Sequence, residues 1–247
     1  MASGAKSKKK YTYVWVSAII LVFGIFAVYE MTKRMKGGSV VENDRMSTGS
    51  AHQQLAYIPS EGKMRKVPAF SFINQDSVQV TDKDYLGKVY VVEFFFTTCP
   101  TICPIMTENL VSLQNSFLDD PDFGVASFTI NPRYDTPTVL RQYAEKYGII
   151  DPDWNLLTGD RDAIYTLARE GFYILAQEDA ESPGGFEHSG MFALIDREGY
   201  IRSRMDRFGN PLIYYRGNIT EKQGVNDHGE PQQITILKED IQKLLAE

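Results

Sequence analysis

Residues 89–96 (VYVVEFFF) do most to limit what this chain can fold into. β-branched and aromatic side chains favour extended backbone, and an apolar run without alternation predicts a strand buried on both faces. Such a strand needs parallel neighbours and helices packed above and below it. The sequence that follows supplies them. Pro104 opens a stretch to Phe117 in which Met106, Leu110, Leu113 and Phe117 recur at helical spacing. Residues 125–130 read as the next strand. Thr136 and Pro137 suit the N-cap and first turn of a helix that runs through Tyr147 and closes at Gly148. Residues 155–157 predict a short strand, and Asp160 can cap a helix over 161–170, stopped by Gly171. Residues 191–196 and 200–205 flank Arg197-Glu198-Gly199, a hairpin signal, and 237–245 predict a closing helix. The expectation is an α/β fold with a central sheet flanked by helices. In that fold Phe94, Phe95 and Phe96 belong to the core, and no internal repeat is visible.

The N-terminal end has a different character. From Tyr11 to Tyr29 there are 19 residues without a charge, enough for a helix of about 28 Å, close to the thickness of a bilayer's hydrocarbon core. Tyr11, Tyr13 and Trp15 mark one end and Tyr29 the other, as interfacial rings do. The flank Glu30-Met31-Thr32-Lys33-Arg34 offers no small-residue cleavage site, so an uncleaved anchor is expected rather than a signal peptide. Residues 1–36 carry a net charge of +6, which leaves −12 on the rest of a chain whose total is −6. An acidic body without a basic stripe argues against a nucleic-acid partner. The basic residues 1–10 instead read as a cytoplasmic tail, residues 11–29 as a transmembrane anchor and 30–66 as a linker. The body, 67–247, then faces the periplasm of a bacterial inner membrane. His52 falls in the linker, where solvation is expected.

Both cysteines lie in Phe96-Thr97-Thr98-Cys99-Pro100-Thr101-Ile102-Cys103-Pro104, between the buried strand and the helix after it. Two thiols four positions apart at a helix N-terminus can converge on one point, where unpaired N–H groups favour thiolate. Such a pair suits Cu(I), zinc or disulfide chemistry. A structural disulfide would close only a five-residue loop and gain little. The spacing is C-x-x-x-C rather than the C-x-x-C of thioredoxin-like redox sites, which favours metal binding over disulfide exchange. Of the three histidines, His188 lies in a flexible Gly-flanked segment entering residues 191–196, and His228 in a polar run that reads as a solvated loop. Met106 and Met191 sit near these positions in sequence but at apolar places in regular elements, so packing is expected of them. Thr97 and Thr98 could orient the cysteine loop by hydrogen bonding or be ordinary strand-end residues.

The run Phe95-Phe96-Thr97-Thr98-Cys99-Pro100-Thr101-Ile102-Cys103-Pro104-Ile105-Met106-Thr107 resembles the signature of the SCO/SenC family of copper chaperones. His188-Ser189 before an apolar strand, Asp196-Arg197-Glu198-Gly199, Asp135-Thr136-Pro137 and Leu156-Leu157-Thr158-Gly159 are similar to further family segments. The resemblance covers roughly residues 67–206. It implies a thioredoxin-like fold in which Cys99, Cys103 and His188 bind one copper ion, as Cu(I) or Cu(II). It also implies two partners, a copper donor and the CuA subunit of cytochrome c oxidase, whose CuA centre is supplied with copper or matured. A metallochaperone is a binding protein and not an enzyme. The alternative is a thiol–disulfide oxidoreductase using Cys99 and Cys103 to reduce cysteines of an oxidase subunit or another partner, which leaves His188 without a role. A peroxidase is disfavoured, because the positions three and seven before Cys99 hold Phe96 and Val92. The chain departs from the family in having Asn131-Pro132 where Asp-Pro is usual, losing a carboxylate near the site. Residues 207–235 read as an insertion, either a partner-binding loop or a passive one, the passive reading being expected because loops lengthen cheaply.

Overall fold

The computed structural model describes residues 15–26, 54–60, 62–206 and 208–247, in two units, Met1–Met46 and Ser47–Glu247. In the first unit, residues 15–26 form helix α1, with every described side chain exposed. Among the described residues no helix is long and apolar enough to cross a membrane. The ends of the expected span 11–29, the tail 1–10, most of the linker and His52 lie outside the described residues.

The second unit opens with β1 (Ala56–Tyr57) and two small hairpins, β2 (Pro59–Ser60) with β3 (Lys63–Met64) and β4 (Ser71–Ile73) with β5 (Gln79–Thr81). A 3-10 turn, Asp82–Tyr85, leads into β6 (Val89–Phe95). Then come α2 (Cys103–Phe117), β7 (Phe123–Thr129), α3 (Pro137–Tyr147), β8 (Trp154–Leu157) and α4 (Arg161–Thr166). β9 (Ala176–Glu178) and β10 (Phe186–His188) pair only with each other as strands, ahead of β11 (Met191–Ile195) and β12 (Ile201–Ser203). β13 (Tyr215–Arg216) and α5 (Ile234–Ala246) complete the chain.

The main sheet runs β1-β12-β11-β6-β7-β8, with β13 added beside β11. β6, β7 and β8 are parallel, and β11 joins β6 antiparallel. Every residue of β6 and β7 is buried, which is why residues 89–96 show no alternation. Successive strand residues point to opposite faces. Phe94 stacks on Phe128 and meets Phe172 edge-on, whereas Phe95 packs against Tyr143 of α3, so both faces are covered. The capping expected of α3 is present. Thr136 accepts a hydrogen bond from the Val139 N–H, and Gly148 takes a left-handed φ of 71° that a residue with a Cβ adopts only under strain.

Four features depart from the sequence reading. The folded body begins before residue 67: Ala56 and Tyr57 pair with Ser203 and Arg202, and Leu55 and Ile58 are buried. These few residues are too short to show a period, so their pairing is invisible locally. The helix expected over 161–170 is α-helical only to Thr166 and widens to a π-turn over Leu167–Gly171, with the Phe172 N–H donating to the Leu167 carbonyl. Within the expected flexible loop 185–190, residues 186–188 form β10 and pair with β9. Residues 207–235, read as a loop insertion, are fastened to the core. Tyr215 is fully buried and donates to Asp240 of α5, and the Asn109 amide donates to the carbonyls of Gly217 and Ile219. A Cβ on Gly217 would stand 2.5 Å from the Phe192 ring, so only glycine lets this backbone lie so close to β11.

Candidate metal centre

β6 leaves the sheet at Phe95, and the next four residues turn sharply, the Cys99 N–H donating to the Phe96 carbonyl at 3.2 Å. Cys103 is the first residue of α2, with Pro104 behind it in a first turn that has no use for its missing N–H. The third side chain comes from the β9–β10 hairpin. His188 ends β10 opposite Ala176, and its ring meets the Phe96 ring edge-on. Phe96 also packs against Phe186, and Gly184 lies so near that a Cβ there would be 2.7 Å from the ring. The hairpin therefore rests on the residue that begins the cysteine turn.

The donor atoms of Cys99, Cys103 and His188 all lie within 4.8 Å of one another, and all three residues are buried. Cys103 Sγ is 3.1 Å from His188 Nε2. His188 Nδ1 is 3.3 Å from the Ser189 carbonyl, a contact that holds the ring with Nε2 toward the sulfurs. Neither cysteine is in a disulfide. Cys99 is held far below the ordinary thiol range, first by the hydrogen bond from Cys103 and then by His188, against the opposing effect of burial. Cys103 is pushed up by burial and by its neighbour Cys99. Cys99 thus favours the thiolate and Cys103 the thiol, and a cation held between them would displace the remaining proton. Two sulfurs and one imidazole form a soft set of three donors. The cluster could bind one copper ion.

The other residues singled out by sequence separate cleanly. His228 is exposed in a turn. Met106 is fully buried in the core and Met191 half-buried at the start of β11. Thr97 does orient the loop, donating its N–H and hydroxyl to Asp135, while Thr98 is exposed. Two buried carboxyls escaped sequence reasoning as parts of the site's surroundings. Asp135 is fully buried beneath the loop. Glu93 accepts from the Ser127 hydroxyl and is pushed up to about 8 by burial, which favours its neutral form. A lone acid inside an apolar strand was the signal available for Glu93.

The sequence model of the SCO1/SenC family matches residues 59–216, a span that contains all three donors. The chain belongs to the SCO1/SenC family. Among its relatives is the SCO1 protein homolog of Bacillus subtilis, 30% identical over 138 residues, which cover 55% of this chain and 71% of that one. The crystal structure of a SCO1/SenC family lipoprotein from Bacillus anthracis superposes with a TM-score of 0.60 at 28% identity, covering 73% of this chain and 95% of that one. BsSco, described as a member of the Sco family of cytochrome c oxidase assembly proteins with a disulfide switch, gives 0.57 at 25% identity over 74% and 94%. Arabidopsis thaliana ScoI, whose crystal structure has copper bound, gives 0.52 at 22% identity over 72% and 97%, a likeness of fold. This SCO1/SenC protein therefore has the mixed α/β architecture of the Sco structures, a central sheet flanked by helices.

Proposed function

We propose that this chain is a membrane-anchored copper metallochaperone that supplies copper to the CuA centre of cytochrome c oxidase. The observation that carries the reading is the convergence of Cys99, Cys103 and His188, from three separate segments, on one buried point. A disulfide needs only the sulfurs; an imidazole nitrogen 3.1 Å from one of them completes a ligand set. Thiolates hold Cu(I), and the imidazole extends the site to Cu(II). With three protein donors, a receiving protein's ligand can enter before the cysteines let go, which makes release a ligand exchange. BsSco belongs to a family of oxidase assembly proteins, and Arabidopsis ScoI carries copper in its crystal structure; both support the assignment. In this reading residues 1–10 are the cytoplasmic tail, 11–29 the transmembrane anchor, and the body from Leu55 onward stands in the periplasm of a bacterial inner membrane. Its partners there are a copper donor and the oxidase's CuA subunit.

A thiol–disulfide oxidoreductase is the second reading, favoured by the low-lying Cys99 thiolate beside the Cys103 thiol. His188→Ala separates the two. In the full-length chain it is expected to weaken Cu(II) binding by more than the roughly 10–100-fold cost of losing an outer-sphere partner, while reduction of a model disulfide continues. Wild-type affinity for Cu(II) in this variant would refute the ligand assignment.

A further inference from the structure

Asp135 is fully buried, and neither a salt bridge nor a cation accompanies it among the described residues. Its carboxylate instead accepts three hydrogen bonds. Oδ2 takes the Thr97 N–H at 3.1 Å and the Thr129 hydroxyl; Oδ1 takes the Thr97 hydroxyl. Thr129 in turn accepts from the Asn131 N–H at 3.0 Å, and Asp135 donates its own N–H to the Asn131 carbonyl at 2.9 Å. Asp135 also directly precedes the N-cap of α3, where the helix dipole favours negative charge. One carboxylate therefore joins the exit of β6, the exit of β7 and the start of α3.

The consequence lies two residues further on. The turn from Phe96 to Cys99 is closed by the Cys99 N–H on the Phe96 carbonyl, and Thr97 and Thr98 are its central residues. Thr98 is exposed, whereas Thr97 is held at both its N–H and its hydroxyl by Asp135. At the turn's first residue the Phe96 ring is gripped by Phe186 and His188. The position of Cys99 relative to Cys103 and His188 is thus fixed from two sides, the hairpin above and Asp135 below. We propose that Asp135 is the positioning residue of the cysteine turn, acting through Thr97 to place Cys99 Sγ against the other two donors. It takes no part as a ligand. The carboxylate lost where this chain has Asn131-Pro132 is not replaced at that position; the buried acid that serves the turn stands four residues later.

The inference rests on the copper reading for its metal readout only, so the test carries a second, metal-free one. Full-length chains with Asp135→Ala, Asp135→Asn and, as a comparably destabilised core control outside the turn, Val125→Ala are compared for Cu(I) affinity by chelator competition. Metal-free samples are compared for the rate of Cys99 alkylation by iodoacetamide. Asp135→Ala is expected to lose affinity by roughly tenfold or more and to change the alkylation rate by about threefold or more. Asp135→Asn, which keeps an acceptor for the Thr97 N–H, recovers most of both, and Val125→Ala changes neither. If Asp135→Ala does not fold, Thr97→Val, which loses only the hydroxyl bond, is read in the same assays with smaller shifts in the same sense. Both readouts within about twofold of wild type, in whichever variant folds, would overturn the proposal. If the wild-type chain binds no copper yet alkylation shifts in Asp135→Ala, the copper reading fails and the positioning role stands. If the wild type binds copper and neither readout moves, only the positioning role fails.

Discussion

Cys103→Ser is expected to lower the Cu(I) affinity of the full-length chain by roughly a thousandfold, about 4 kcal/mol, with little change in fold. Cys103 begins α2 and is buried, its sulfur 3.1 Å from His188 Nε2. Serine fits the same space and can still donate to the imidazole, so the cost to stability should stay near ~1 kcal/mol. What disappears is a polarisable thiolate. A serine hydroxyl keeps its proton at pH 7 and offers a hard oxygen that soft Cu(I) binds poorly. Cys99 and His188 remain as two donors, which is too few to hold the ion against competing thiols. Competition against a chromophoric Cu(I) chelator measures the loss. An affinity within about threefold of wild type would show that the second sulfur is not a ligand.

The second large effect concerns the insertion and the C-terminal helix. Asp240 on α5 is fully buried and accepts from the Arg204 guanidinium twice at 2.7 Å, from the Tyr215 hydroxyl at 2.8 Å and from Lys243 at 3.1 Å. It clamps the chain after β12, β13 and α5 together. Asp240→Ala leaves Arg204, itself mostly buried, with only the exposed Glu239 as an ionic partner among the described residues. Removing one partner of a buried, hydrogen-bonded ion pair costs about 3–5 kcal/mol, and the exposure of Glu239 and partial exposure of Arg204 place the expectation near the lower figure. With a urea m-value of roughly 1–3 kcal/mol/M, the unfolding midpoint should fall by about 1 M or more. Tyr215→Phe, which removes one hydrogen bond to the same carboxylate, should cost only about 1 kcal/mol. If Asp240→Ala unfolds at the wild-type urea concentration, residues 207–235 are not fastened to the core through this acid.

How much of this was legible in the sequence depended on the range of the forces involved. β6, α2 and α3 announce themselves because their signals are local: a continuous apolar run, a helical period, Thr136 with Pro137 at one end and Gly148 at the other. The two sulfurs were legible for the same reason, being four residues apart. His188 could be tied to them only through a resemblance, since 85 residues separate it from Cys103 and no local rule joins them. β1 and β13 were missed because two-residue strands have no period; their identity comes wholly from the partners β12 and β11. Asp135 looked like a residue ahead of a helix cap, and its use by Thr97, 38 positions earlier, appears only once β6 and β7 lie side by side. Residues 207–235 read as an insertion because polar, Gly- and Pro-marked composition describes what a segment can tolerate, not the buried Tyr215 and the Asn109 bonds that fasten it.

The ligand set itself can be counted directly by X-ray absorption on the full-length chain loaded with Cu(I). The expected result is one copper per chain with two sulfur scatterers and one imidazole nitrogen, the nitrogen vanishing in His188→Ala. A copper environment without the imidazole in the wild-type chain, or one with a single sulfur, would contradict it.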